Sequence, residues 1–293
     1  MKTKIFCDIA DIKQIKKFNK KTLVKGFTTN PSLMRKAGAK DYKSYCKKIL
    51  KICKNKPVSF EVFADDYQNM KRQALLINKW AKNVYVKIPV VNSKGLFMGK
   101  LIKELNNKRI KLNITAVYTS KQTKEILNNI NKKTKIIISI FAGRMADTGK
   151  DPVPEFKKSL NYSKKFKNVE ILWASTREPY NYLQAKQLGC HIITIPPSII
   201  EKIMFFGKTF NYLTINTVKN FLTDSKKSNF KKAIKNVKQF HELQIPKDYE
   251  LSENGVRLRS RWKALDSVGL YVPGGQTVYP SSLIMNIVPA IIA

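Results

Sequence analysis

The sequence predicts an α/β fold: a (β/α)8 TIM barrel followed by a C-terminal α+β fragment that does not make a complete domain. Three observations predict it. Eight short apolar runs rich in Val, Ile and Phe recur up to about residue 210, segments with helical spacing of apolar side chains lie between them, and the alternation stops near residue 222. Strand and helix repeated eight times close a parallel sheet on itself and leave no edge to pair with a neighbour. A doubly wound open sheet is the alternative. It is disfavoured because no strand leads into a G-x-G-x-x-G or G-x-x-x-x-G-K-[ST] phosphate loop.

The strands fall in KIFCDI (4–9), LVKGFT (23–28), VSFEVF (58–63), VYVKIPV (84–90), IKLNITAV (110–117), KIIISIF (135–141), VEILWAS (169–175) and HIITIP (191–196). Between them, 66–81 places Met70, Ala74, Ile77 and Ala81 on one side of a helix, and 94–107 does the same with Leu96, Leu101 and Leu105. The barrel accounts for 1–222. Over 223–293 the first element is a lysine-rich helix, 225–243, with Phe230, Ile234, Val237 and Phe240 on one face. Its plain reading is a closing helix packed on the barrel.

A chain of 293 residues with 43% hydrophobic content can fill a sizeable core, which excludes intrinsic disorder. Basic residues number 56 and acidic residues 20, but only eight of the 56 are arginines. The lysines are scattered along almost every segment, whereas specific nucleic-acid contact favours arginine forks and clustered patches. The charge is therefore read as decoration of solvated faces, with no specific nucleic-acid partner, although it attracts phosphorylated substrates. The excess belongs to the barrel, which has 45 basic against 14 acidic residues, with 11 against 6 after residue 222. Cys7, Cys46, Cys53 and Cys190 form no C-x-x-C pair, and with only His191 and His241 they give no metal spacing, which fits a reducing cytoplasm and no metal. The N-terminus has too short an apolar stretch for a signal peptide, and no window reaches the roughly 18 apolar residues of a membrane span. A soluble protein with no membrane partner is expected.

Chemically capable residues gather where the strands end. Asp8 closes the first strand, Thr28, Thr29 and Asn30 follow the second, Glu61 is late in the third and Lys87 late in the fourth. Asn113 and Thr115 lie in the fifth, Ser139, Phe141 and Arg144 in and after the sixth, and Ser175 and Arg177 after the seventh. A barrel brings all of these to its C-terminal mouth, where active sites of this architecture are built. Lys87 is central, because a lysine inside VYVKIPV either points into the barrel or snorkels from the strand end to solvent. Pointing inward without a partner, it is expected to have a lowered pKa and to attack a carbonyl as a neutral amine.

FCDIAD (6–11), GFTTNPSLM (26–34), VKIP (86–89), NITAVY (113–118), SIFAGRMAD (139–147) and LWASTREP (172–179) resemble, in order and at family spacing, the short transaldolases, a group that includes fructose-6-phosphate aldolase. The resemblance implies that Lys87 forms a Schiff base with the C2 ketone of a ketose phosphate and that Asp8 takes the proton of the C4 hydroxyl. It implies that Glu61 and Thr115 hold a proton-shuttling water, and that Asn30, Thr29, Asn113 and Ser139 surround the dihydroxyacetone unit. Phe141 walls the pocket, and Arg144, Ser175 and Arg177 clamp the phosphate; barrel-rim surface charge is the plainer reading of these three. The substrates implied are sugar phosphates, with no cofactor and a homo-oligomer joined through a C-terminal helix. Glu61 and Phe141, where aldolase members resemble one another in carrying glutamine and tyrosine, point to transaldolase over fructose-6-phosphate aldolase. A function of another class, a basic protein binding nucleic acid or an anionic surface with an inactive barrel, is the competing reading.

From about residue 228 to 293 the chain resembles part of the first half of histidinol dehydrogenase, above all in AIKNVKQFHELQIPKDYE and LDSVGLYVPGG. That resemblance puts Tyr271 at a vestigial NAD position. The zinc ligands, the catalytic pair and most of the nucleotide fold have no counterpart here, so no dehydrogenase activity is expected. The apolar end, SLIMNIVPAIIA, is what a truncated or fused reading frame gives, and left unpaired it promotes aggregation.

Overall fold

A computed structural model describes residues 3–225, 228–271 and 280–292. Each apolar run holds one strand: β1 (Lys4–Asp8), β2 (Val24–Thr28), β3 (Val58–Glu61), β4 (Val84–Pro89), β5 (Leu112–Val117), β6 (Ile136–Phe141), β7 (Val169–Ala174) and β8 (Ile192–Ile195). They pair in chain order, and β8 returns to β1 with Lys4 opposite Ile192 and Cys7 opposite Ile195, so the parallel sheet is closed.

Alternate residues of each strand serve two apolar environments, which is why the runs are continuous rather than alternating. Ile5, Cys7, Phe27, Val58, Phe60, Val84, Val86 and Ile88 belong to the large core beneath the helices. Phe6, Tyr85, Ile137, Leu172, Ala174 and Ile192 form a second, inner cluster with Phe141 against it. Gly26 makes room for that plug, since a Cβ there would stand 2.6 Å from the Phe6 ring.

The helix Tyr67–Asn78 buries Met70, Ala74 and Ile77, and it starts where Asp66 accepts a hydrogen bond from the Asn69 backbone N–H at 2.9 Å. Ala81 lies past its end. The expected helix at 94–107 is shorter, Gly99–Asn107; it buries Leu101 and Leu105 but leaves Leu96 60% exposed in the preceding loop. The reason is local: the Asn92 side chain accepts the backbone N–H groups of Lys94 and Leu96, and Val91 bridges Phe97, so this segment is held as a turn.

All four cysteines are buried free thiols. Burial raises the pKa of each, with Cys46, Cys53 and Cys190 pushed up to about 12. The thiolate is the reactive form, so these are packing residues. His191 accepts a hydrogen bond from the Ile171 backbone N–H at 3.1 Å.

The chain divides into two compact units, Met1–Phe206 and Gly207–Ala293. This division falls earlier than the 222/223 boundary read from the sequence and assigns the helix Phe210–Ser225 to the second unit. The helix Ser228–Glu242 also belongs there, where it packs against the helix Pro280–Ile292. Two strands follow, β9 (Tyr249–Glu253) and β10 (Val256–Ser260), and they pair antiparallel. Their loop, Asn254 and Gly255, has φ of 45° and 80°, the left-handed pair of a type I′ hairpin turn. Tyr271 is 81% exposed, and residues 272–275 of its GLYVPGG motif lie outside the described residues. Among the described residues no helix is long and apolar enough to cross a membrane.

Candidate active site at the C-terminal mouth of the barrel

The register that closes the barrel also builds the site. Glu61 pairs with Lys87, Lys87 with Asn113, and Pro89 with Thr115, so strand ends β3, β4 and β5 present their inner-row residues at one level. A cavity of about 720 Å³ opens at this mouth, lined among others by Asp8, Asn30, Glu61, Lys87, Asn113, Thr115, Ser139, Phe141, Arg144, Ser175 and Arg177. Of the residues expected there, Thr29 alone does not line it.

Lys87 points inward and is only 7% exposed. Snorkelling is ruled out, and so is the lone buried ammonium, because Nζ lies 3.2 Å from Glu61 Oε2 and donates to the Thr29 carbonyl at 2.9 Å. Thr29 therefore acts through its backbone. Its hydroxyl donates to the Ser59 carbonyl at 2.9 Å and the residue is fully buried, outside the cavity lining.

Asp8 is partly buried at the end of β1 and accepts a hydrogen bond from the Thr28 hydroxyl at 2.7 Å. Thr28 in turn contacts the hydroxyl of Thr194 on β8. Burial pushes the Asp8 carboxyl above its ordinary range; the Thr28 hydrogen bond and the Lys87 charge pull it down, and the Glu61 charge adds to the rise. A carboxylate with a raised pKa beside a buried amine is a group suited to moving protons near neutral pH.

Opposite Asp8 the polar side chains form a chain. Ser139 donates to Asn113 Oδ1 at 2.6 Å, and Asn113 Nδ2 donates to Ser59 at 3.1 Å. Thr115 is 2% exposed, and its Oγ1 has no hydrogen-bond partner among the described residues, which leaves it open to a hydroxyl or water. Asn30 caps the helix Pro31–Lys36 by accepting from the Leu33 N–H at 2.9 Å, which leaves its Nδ2 for the cavity.

At the rim, Arg144 stacks on Phe141, 5.7 Å from ring centroid to guanidinium. Arg177 forms a fork with Asp147, Nε to Oδ1 at 3.0 Å and Nη2 to Oδ2 at 2.5 Å, which holds the Asp147 carboxyl below its usual range. Two neighbours fix this corner: Ser175 adopts a left-handed φ of 64°, and a Cβ on Gly143 would fall 1.7 Å from the Ser175 carbonyl oxygen. Ala116, next to Thr115, has φ of 58°. Strain of this kind on non-glycine residues concentrates at functional sites.

Sequence reasoning missed Thr194, Thr176 and Asp147. The first lines the cavity and supports Thr28, and the second lines it and donates to the Thr194 carbonyl at 2.7 Å. The alternation of inner and outer residues along β8 was a signal for Thr194; nothing in the sequence singled out Asp147 as the partner of Arg177.

With this geometry in place, two family models match the chain: transaldolase/fructose-6-phosphate aldolase over residues 5–248 and histidinol dehydrogenase over 209–293. Curated relatives described as probable transaldolases are similar to it. The one from Methanococcus maripaludis strain C5 is 34% identical over 223 residues, 75% of this chain and 96% of the relative. That from Dehalococcoides mccartyi is 34% identical over 69% of this chain and 90% of its own, and that from Nitrosopumilus maritimus 33% identical over 76% and 95%.

Proposed function

We propose, from the premise that this chain belongs to the transaldolase/fructose-6-phosphate aldolase family and is an enzyme of that class, that it transfers a dihydroxyacetone unit between sugar phosphates through a Schiff base on Lys87. The observation that carries the reading is the buried Lys87 amine held 3.2 Å from Glu61 at the floor of a cavity that also contains Asp8.

In the first step the Lys87 amine adds to the C2 carbonyl of a ketose phosphate, and the carbinolamine oxygen leaves as water. Proton traffic for this dehydration runs through a water held between Glu61 and the Thr115 hydroxyl, whose Oγ1 is otherwise unsatisfied. Asp8 then removes the proton of the C4 hydroxyl; the C3–C4 bond breaks, the aldose phosphate leaves, and the electron pair passes into the iminium to give an enamine. An acceptor aldose phosphate takes the unit by the reverse sequence, Asp8 returning the proton to the new hydroxyl, and water releases the product from Lys87. Asn30, Asn113 and Ser139 bind the dihydroxyacetone hydroxyls, and Arg144, Ser175 and Arg177 hold the phosphate.

Transfer is favoured over release because the cavity wall is Phe141 and no tyrosine lines the cavity among the described residues, so no phenol is placed to protonate the enamine carbon. We place the enzyme in the cytoplasm as a homo-oligomer; the apolar exposure of Phe210, Leu213, Val218 and Phe221 on one helix supports self-association. We also assign the transaldolase-like part of the chain to 1–222, the barrel together with most of the helix Phe210–Ser225 of the second compact unit, and the remainder to an appendage without dehydrogenase activity, Tyr271 being a vestige. Borohydride trapping with fructose 6-phosphate tests the central claim: a mass increment on Lys87 is expected, and none at any pH from about 7 to 9 excludes it. Free dihydroxyacetone formed from fructose 6-phosphate without an aldose acceptor would assign the aldolase reaction instead.

A further inference from the structure

The opposite mouth of the barrel holds a second cavity, about 700 Å³, lined by Lys4, Lys25, Lys54, Lys82, Lys111 and Lys135 and by one acid, Glu170. These lysines differ from those that decorate outer helices. Phe6 and Asp8, Asn113 and Thr115, and Ile137 and Ser139 stand on the inner rows of β1, β5 and β6. Lys4, Lys111 and Lys135 precede them by two residues and so continue those rows to the N-terminal end. A closed barrel forces such side chains toward one axis, whatever the cost of like charges.

The one acid is consumed locally, since Glu170 pairs with Lys4. Among the described residues, none of Lys25, Lys54, Lys82, Lys111 and Lys135 lies within ion-pair distance of a carboxylate. Lys111 instead touches the Lys82 carbonyl and lies 5.3 Å from the Tyr85 ring centroid. Its ammonium is held below the ordinary lysine range, first by burial and then by the Lys135 charge. Beyond the Lys4–Glu170 pair, this concentration of positive charge in a recess meets no acidic partner among the described residues.

We infer that this N-terminal mouth is a binding site for an oligophosphate anion, separate from the sugar-phosphate cavity. The ligand chemistry follows from the lining. All six cations are lysines, flexible point charges that can follow the oxygens of a phosphate chain without the fixed bidentate geometry of an arginine fork. The charges come from the N-terminal ends of β1 and β2 and from the segments leading into β3, β4, β5 and β6, so a ligand with several anionic centres reaches more of them than orthophosphate does. The aromatic floor offers no face for stacking a base, because Phe6 is 2% and Tyr85 7% exposed. A free oligophosphate and the triphosphate tail of a nucleotide share this chemistry.

Calorimetry on the full chain at about 0.15 M salt tests the site with sodium tripolyphosphate, ATP without magnesium, and orthophosphate. One tripolyphosphate per chain is expected, bound at least about tenfold tighter than orthophosphate. ATP equal to tripolyphosphate assigns the triphosphate tail as sufficient, and ATP weaker assigns the free chain; ATP tighter by about tenfold or more would reveal base recognition and overturn the site as drawn. The double variant Lys54→Gln/Lys82→Gln, at exposed rim positions, should weaken tripolyphosphate binding by about tenfold or more. The charge-matched Lys13→Gln/Lys16→Gln variant on an outer helix should leave it unchanged, as should Arg177→Leu. Equal weakening in the outer-helix variant would mean diffuse attraction only, and loss in Arg177→Leu would mean binding at the other mouth; either result overturns the inference. The readout is binding, so it stands or falls apart from the Schiff-base reaction.

Discussion

Asp8 carries opposite consequences for activity and stability. A carboxyl whose pKa is raised by folding binds its proton more tightly in the folded chain than in the unfolded one, so its ionisation lowers stability as pH climbs from about 3.8 through the raised value. Asp8→Asn keeps an acceptor oxygen for Thr28 and removes the buried charge. We predict that this variant melts above the parent at pH 7, with the difference shrinking as pH falls from the raised Asp8 value toward about 3.8, while turnover drops by about 100-fold or more. It should still trap fructose 6-phosphate on Lys87, because imine formation does not need this carboxylate. A variant that turns over normally, or melts lower at neutral pH, contradicts the assignment. Arg177 yields a prediction of another kind. Charge-assisted hydrogen bonds to phosphate are worth about 1.5–3 kcal/mol, so Arg177→Leu should raise KM for the phosphorylated donor by about 10- to 100-fold. With kcat little changed, the loss is one of uniform binding, and an unphosphorylated ketose should show no difference. Because Arg177 is held by Asp147, the proposed phosphate binding would exchange carboxylate for phosphate on the same guanidinium.

At the scale of elements, close approach of backbones sets the site. Gly143 lets the short helix Ala142–Ala146 after β6 lie against the carbonyl of Ser175, and a methyl there would meet that oxygen at 1.7 Å and the Arg177 side chain at 3.1 Å. Gly143→Ala is therefore expected to cost about 1–3 kcal/mol of stability and to displace the phosphate clamp, raising KM even under conditions where the protein stays folded. Denaturant midpoints and steady-state kinetics check both parts. The strands were legible in the sequence because a closed parallel barrel buries both faces of each one, so all eight read as continuous apolar runs. Eleven of the twelve expected site residues line the cavity for the related reason that strand ends converge on one mouth. What escaped was set by local hydrogen bonding rather than periodicity. The Asn92 turn shortens the helix that the spacing of Leu96 extends, and Thr29 is turned into the wall by its bond to Ser59. The hairpin at 249–260 was readable from Asn254-Gly255, yet its strands carry charges at Glu250, Arg257 and Arg259 that obscured the alternation.

For the whole molecule, the two compact units differ in how much they bury. Up to Phe206 the chain has a continuous core of strands and helices, whereas in Gly207–Ala293 the described side chains are mostly exposed, including Leu243, Ile245, Leu251, Val256, Leu258 and Trp262. In that second unit Val288 is the sole hydrophobic residue counted as buried among those described. Local opening is cheap where few apolar groups leave water, and proteases cut what opens. Limited trypsin digestion should therefore remove material after about residue 245 first, since Lys247, Arg257, Arg259, Arg261 and Lys263 supply sites along exposed backbone. The barrel fragment should persist, and if the second unit is a passive appendage it should retain the Lys87 adduct and its kcat. Loss of activity in step with loss of the appendage would instead show that the second unit supports the catalytic mouth. Mass spectrometry of the time course, read beside residual turnover, separates the two outcomes, because cleavage after 245 leaves every proposed catalytic residue in place.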